Sequence, residues 1–177
     1  MQIMNLNKKQ NYILNIVQKD PGLGKTALMK VIFMLQEVMG VKTEYDFSIY
    51  TYGPYDTNVM EDIDELCARG LITCSMYPYQ TYIGYSLDIT DTGKHSLHSL
   101  SDKEDKALEN IVHFAKNKNA KELELYSTII YVDKLFKKNS WPADNTTIIN
   151  KVKEIKPHFS EDMISTAFSC LQEKRYI

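Results

Sequence analysis

The sequence predicts a mainly α fold with a small β-hairpin, and three observations carry that expectation. Apolar residues recur at helical spacing through much of the chain, as in Leu28, Val31, Ile32, Leu35, Val38 and Met39. Two runs rich in β formers, Leu71 to Met76 and Tyr82 to Ile89, follow one another between helical stretches. Pro and Gly number only 5 and 7 in 177 residues, so the breaks they make are few and readable. Three helices and then a hairpin is the order of a winged helix-turn-helix. The expected organisation is a winged-helix domain over 1–95, followed by a C-terminal helical region over 96–177 packed on it as one unit.

The first helix is expected from Leu6 to Val17, with Ile13, Ile16 and Val17 on one face. Asp20-Pro21-Gly22 breaks it, because Pro lacks a backbone donor and Gly suits a turn. A second helix runs from Lys25 to Met39, where Phe33 and Met34 widen the apolar stripe enough to imply burial on more than one side. Gly40 is its stop. Tyr45 to Tyr50 alternates like a short strand and is ended by Gly53-Pro54. Asp56 or Thr57 then caps a third helix reaching Ala68, with Val59, Ile63, Leu66 and Cys67 inward and Gly70 closing it. Tyr77 to Thr81 reads as the loop of the hairpin, and Thr90-Asp91-Thr92-Gly93 as the way out of it.

In the second half Ser101 and Glu104 form a capping box for a helix extending to Lys118. A helix over 121–137 is apolar enough, at Leu125, Ile129, Ile130 and Val132 among others, for a buried central position. Asn139 to Asn145 is a loop, Thr146 to Lys156 a shorter helix stopped by Pro157, and Ser160 the cap of the last one. Leu66 to Ile72 is echoed by Leu171 to Ile177, each a helix end followed by the start of a strand. The second stops where its hairpin would begin, which suggests a second, incomplete wing.

At this length roughly two thirds of the extended-chain surface is buried on folding, so no disulfide or metal staple is needed. Cys67, Cys74 and Cys170 are an odd count without CxxC spacing, as expected of reduced thiols in a cytoplasmic protein. Apolar runs such as Val31 to Leu35 fall far short of the ~20 residues of a membrane span, and no secretory leader is apparent. Residues 1–100 hold 8 Lys or Arg and 11 Asp or Glu, a net of −3, and residues 101–177 hold 13 and 12, a net of +1. Neither half is a basic module of the kind that binds polyanions generally.

No catalytic, cofactor-binding or metal-binding residues are expected. Gly22-Leu23-Gly24-Lys25-Thr26 imitates a phosphate loop, but Lys19 stands where the first Gly belongs and a helix precedes it instead of a strand. His95 and His98, near Asp91 and Asp102, lack the Cys partner or HExxH spacing of a metal site. His113 and His158 stand alone, with no nucleophile set around them.

The tyrosines and the third helix are more informative. Tyr45, Tyr50, Tyr52 and Tyr55 surround Gly53-Pro54, and Tyr77, Tyr79, Tyr82 and Tyr85 decorate the hairpin. Tyrosine combines a large apolar face with a polar tip at low entropic cost, which suits binding surfaces, although packing the hairpin on the core accounts for many of them. Residues 56–70 hold Asp56, Glu61, Asp62, Asp64 and Glu65 against Arg69 alone, a net of −4. Pressing such a face into a DNA groove is electrostatically unfavourable. Plain solubility is one account of that acid. The other is a protein partner with a basic surface, met by Glu61, Asp62, Asp64 and Glu65 with Tyr50, Tyr52, Tyr55 and Tyr79. The alternative is a DNA-binding transcriptional regulator, acting as a homodimer, that meets duplex DNA through Lys8, Lys9, Lys25 and Lys30.

One resemblance covers most of the chain. Lys25-Thr26-x-Leu28-x-Lys30-x-Ile32-Phe33-x-Leu35-Gln36, then Phe47-x-x-Tyr50-x-Tyr52-Gly53-Pro54-Tyr55, then Ile155-Lys156-Pro157-x-Phe159-Ser160, together resemble the YwgA-like family of bacterial proteins. The second helix and the Gly-Pro motif are more distantly similar to the Panacea (SocA-like) antitoxin domains. The resemblance implies a small bacterial or phage protein linked to regulation, antitoxin activity or defence, and it brings no catalytic residues with it.

Overall fold

The computed structural model describes residues 6–78 and 83–177. They form eight helices and two small antiparallel hairpins. Helix α1 (Lys8–Lys19) opens on a capping box in which Asn7 accepts from the Gln10 N–H and Gln10 accepts from the Asn7 N–H. Helix α2 (Lys25–Glu37) buries eight consecutive residues, Leu28 to Leu35, because α1, α5 (Asp102–Ala115) and α6 (Ala120–Lys138) all pack against it. That is the multi-sided burial implied by its wide apolar stripe.

Between α2 and α3 (Thr57–Ala68) lies the first difference from expectation. In place of one strand there is a hairpin, β1 (Ser48–Tyr50) paired with β2 (Gly53–Tyr55) in the register Ser48↔Tyr55, Ile49↔Pro54 and Tyr50↔Gly53. Pro54 is tolerated because the pair has only edge strands. Gly53 is required twice over. Its φ is +89°, and a Cβ there would press on the Thr128 and Ser127 hydroxyls at 3.2 and 3.3 Å. Asp56 is the cap of α3, and its second carboxylate oxygen accepts from the Asp46 N–H at 2.6 Å, tying the hairpin's entrance to the helix.

The second hairpin, β3 (Ile72–Pro78) with β4 (Ile83–Ile89), is in register from Ile72↔Ile89 to Pro78↔Ile83, so Tyr77 and Pro78 extend a strand instead of forming its loop. Tyr79 to Thr81 of the expected loop, and Tyr82 at the expected start of the next strand, lie outside the described residues. The turn between α1 and α2 joins this sheet: Gly22 N–H donates to the Leu87 carbonyl at 2.9 Å, and Leu87 N–H to the Leu23 carbonyl at 3.0 Å. Gly24 approaches the Tyr85 carbonyl in the same place. This backbone contact gives the Gly-x-Gly spacing a structural reason, with Gly22 at φ +85° and the Tyr85 carbonyl close beside Gly24.

Thr90 to Gly93, expected as an exit loop, begins a short helix, α4 (Asp91–Ser96), with Thr90 as its cap. A Cβ on Gly93 would collide with the Leu71 carbonyl and with Ile89. The Ser101–Glu104 capping box is present, although α5 ends at Ala115, short of Lys118. Glu104 also accepts from the buried Tyr12 hydroxyl at 2.5 Å, which joins α1 to α5. Asn11 ties α1 to the segment between α4 and α5, since its amide both donates to the His98 carbonyl at 3.0 Å and accepts from the His98 N–H at 2.9 Å.

Helices α7 (Asn145–Ile155) and α8 (Glu161–Glu173) complete the chain. The echo noted in the sequence is a shared helix exit. Leu71 N–H returns to the Leu66 carbonyl and Tyr176 N–H to the Leu171 carbonyl, with Gly70 at φ +68° and Arg175 at φ +58°. Strands stay confined to the two hairpins among the described residues, so no second wing is seen there. A further recurrence was not read from the sequence. Asp20 after α1 (φ −134°, ψ 74°) and Lys156 after α7 (φ −127°, ψ 67°) adopt nearly one conformation, each before a proline and each followed by a 13-residue helix.

Two predictions follow from these contacts. Gly93→Ala should lower the unfolding free energy by about 1–3 kcal/mol, the usual cost of forcing atoms into a filled space; a urea midpoint equal to wild type would show that the close approach is absent. The Tyr12 hydroxyl first and Ser101 second hold the Glu104 carboxyl down at about 2 against an ordinary 4.5. A depressed carboxylate stabilises the fold fully above its unfolded value and loses that contribution as pH falls through its folded one. Glu104→Gln should therefore flatten the decline of stability between pH 4.5 and about 2, which denaturation across that range would measure.

Candidate functional site

The three segments that carry the sequence resemblance converge under the β1–β2 hairpin. Lys30 sits in the middle of the apolar run of α2, where its stem packs among core residues and its ammonium must find an acceptor. It finds the Pro54 carbonyl at 2.6 Å. Lys156, one residue beyond α7, reaches the same hairpin from the opposite side and donates to the Tyr50 and Thr51 carbonyls. Both lysines are only 2% exposed. Glu124 on α6 supplies the carboxylate of the cluster. Its Oε1 meets Lys156 Nζ at 2.8 Å as a charge contact without hydrogen-bond geometry, and His158 Nε2 lies 3.5 Å away.

The balance of charge in this cluster is uneven. Glu124 is committed to Lys156, which leaves Lys30 with a neutral carbonyl as its partner. Burial pulls the Lys30 ammonium down to about 8, with Glu124 opposing that shift and Lys156 adding to it.

Above these buried charges Tyr50 and Tyr52 are each 65% exposed, on the turn whose carbonyls the lysines hold. Tyr55 is half-buried and its ring lies 5.6 Å from that of Tyr50. Tyr45 is buried and donates to Asp62 at 2.7 Å. Cavities open on both sides of the turn. One, of about 270 Å³, lies against α2 and α3 and is lined by Lys30, Met29, Met60 and the three tyrosines 50, 52 and 55. The other, of about 570 Å³, lies against α6 and α7 over Glu124, Lys156 and His158.

The acidic third helix is less acidic in space than in sequence. Glu61, Asp64 and Glu65 are exposed, but Asp64 pairs with Lys25 at 2.8 Å and Glu65 with Arg69 at 3.2 Å. Asp62 is occupied inside the molecule by Gln10 and Tyr45. The four lysines expected as nucleic-acid contacts each have a partner within the molecule. Lys30 is a correction: a core ammonium bonded to the hairpin cannot contact DNA. Lys25 is bound to Asp64, which raises its pKa against the opposing effect of burial. Lys8 faces Glu104 at 3.7 Å, and Lys9 stands over the Tyr45 ring at 4.6 Å. His95 and His98 are apart in role, the first with its ring 2.6 Å from the Asp91 carbonyl and the second held through its backbone by Asn11.

Sequence reasoning passed over Lys156 and Glu124. The available signal was a lysine inside an apolar helical run and another before a proline at a helix end, since a cation in either place needs an internal acceptor.

The chain is similar to the uncharacterized protein YwgA of Bacillus subtilis (strain 168), with 30% identity over 131 residues, which are 72% of this chain and 76% of that protein. No family model matches the chain.

Lys156→Met should strip Glu124 of its counter-ion and lower stability by about 3–5 kcal/mol. Adding Glu124→Gln to it should restore part of that loss. Guanidinium denaturation of the two variants checks this, and a double variant no more stable than the single one would refute the pairing.

Proposed function

The chain belongs to the YwgA-like family, and on that premise we propose that it is a non-catalytic regulatory module of winged-helix type that acts through a protein partner. The observation that carries the reading is the pair Tyr50 and Tyr52, each 65% exposed on a turn pinned from beneath by two buried lysines. Large aromatic side chains held in water on a rigid base lose little entropy when a partner covers them, and anchors of this kind dominate interface energetics. Tyr55, Met60 and the exposed Glu61 continue the surface from the hairpin onto α3. The partner face is basic and has an apolar centre, in keeping with Glu61 outside and the tyrosines within.

The winged-helix assignment draws support from the order α1, α2, α3, β3, β4 and from the Leu23–Leu87 bridge, which anchors the hairpin to the turn between α1 and α2. The likeness of α2 and the Gly53-Pro54 turn to Panacea antitoxin domains favours an antitoxin-like or phage-defence setting. Duplex DNA is the weaker alternative, since Lys25 and Lys30 are engaged inside the molecule. No helix among the described residues is long and apolar enough to cross a membrane.

The test is capture from a lysate of the native host by the tagged full chain. Tyr50→Ser with Tyr52→Ser and Glu61→Lys should abolish capture while thermal unfolding stays unchanged. Equal capture by wild type and variant would overturn the surface. In parallel, labelled duplex DNA should show no saturable anisotropy change at low salt; tight, steeply salt-dependent binding would establish the DNA reading instead.

A further inference from the structure

The smaller cavity beside the hairpin has the chemistry of an anion site, independently of any protein partner. Lys30 is 2% exposed, and no carboxylate lies within 4.0 Å of it among the described residues. An ammonium has three donors, and the Pro54 carbonyl takes one of them at 2.6 Å. Lys30 itself lines the cavity, as do Gly53 and Tyr55 on either side of its acceptor Pro54. Lys25 and Thr26, at the start of α2 where Gly24 provides no side-chain cap, line the same cavity. The walls are apolar: Met29, Met60 and the rings of Tyr50, Tyr52 and Tyr55.

We propose that this cavity binds a small aromatic carboxylate, with the carboxylate on Lys30 and Lys25 and the ring among Tyr50, Tyr52 and Met60. The volume of about 270 Å³ suits a single ring with a short acidic arm and is small for a nucleotide. The charges present favour a monoanion. Asp64 already pairs with Lys25, and Glu124 is close enough to influence the Lys30 ammonium, so a phosphate dianion would meet two carboxylates. A carboxylate gives Lys30 the counter-ion it lacks. Met and Tyr side chains accept an aromatic face through dispersion and edge contacts.

The full-length chain without partner is titrated with benzoate and phenylacetate, with benzyl alcohol and acetate as controls. Binding is followed by the side-chain NMR resonances of Lys30 and by thermal unfolding. The aromatic acids should give saturable shifts at Lys30, with its apparent pKa rising from about 8, and should raise the melting temperature. Each control should bind at least about tenfold more weakly, because it lacks either the charge-assisted contact or the ring. Asp64→Asn, an exposed change that frees Lys25, should tighten binding by roughly two- to fivefold, the worth of one surface ion pair. Lys30→Met should abolish binding; if that variant does not fold, the wild-type resonances carry the test. Absence of a saturable shift at millimolar acid, equal binding of benzyl alcohol, or unchanged affinity in Asp64→Asn would each overturn the assignment. Because no partner is present, none of these outcomes bears on the protein-contact reading.

Discussion

Burying an ammonium group is among the most expensive steps in folding, and this molecule does it twice beneath one short hairpin. The acceptors that make it tolerable are backbone carbonyls of the turn, with Glu124 adding a charge for Lys156. The dependence is mutual. Two three-residue strands do not hold themselves in water, and the hairpin keeps its shape because lysines from α2 and from the end of α7 are bonded to it. Gly53 permits the fit by letting the turn rest on α6. Most of what distinguishes this surface, from the stance of Tyr50 and Tyr52 to the cavities on either side, descends from that arrangement.

Charge is otherwise spent internally to an unusual degree. Lys19 bridges α1 to Asp105 and Glu109 of α5, Lys25 closes on Asp64, and Arg69 joins Glu65 to Gln10. The net charge of a segment is therefore a poor guide to the field outside it. Helix α3 carries four acidic residues, Glu61, Asp62, Asp64 and Glu65, yet only Glu61 among its outward carboxylates stands without a cation in the described structure.

The long helices were legible because period 3.6 is a strong signal when a core lies on one side, and caps such as Asp56, Ser101 and Ser160 marked their starts. The β1–β2 hairpin was hidden by Pro54, which reads as a breaker although an edge strand accepts it. Helix α4 escaped because six residues with a threonine cap and an internal glycine show no period. The tyrosines of the site were visible as a cluster, but which of them face water depends on the turn's orientation, and Tyr45 lies buried within two turns of Tyr50 in sequence. The lysines were misjudged for a plain reason. Lysine is nearly always at the surface, and only the fold shows that Lys30 and Pro54, 24 positions apart, and Thr51 and Lys156, 105 apart, meet at one hairpin.

That last separation has a temporal meaning. Chains emerge from the ribosome amino end first, and pairings across long stretches of sequence are slow to form. Two carbonyls of the Tyr50–Tyr52 turn await Lys156, more than a hundred residues further along the chain. A nascent or truncated chain thus carries the tyrosines without the clamp that sets them. The surface reaches its final form only after Lys156 has been made, so recognition of that surface is recognition of a chain already folded through α7.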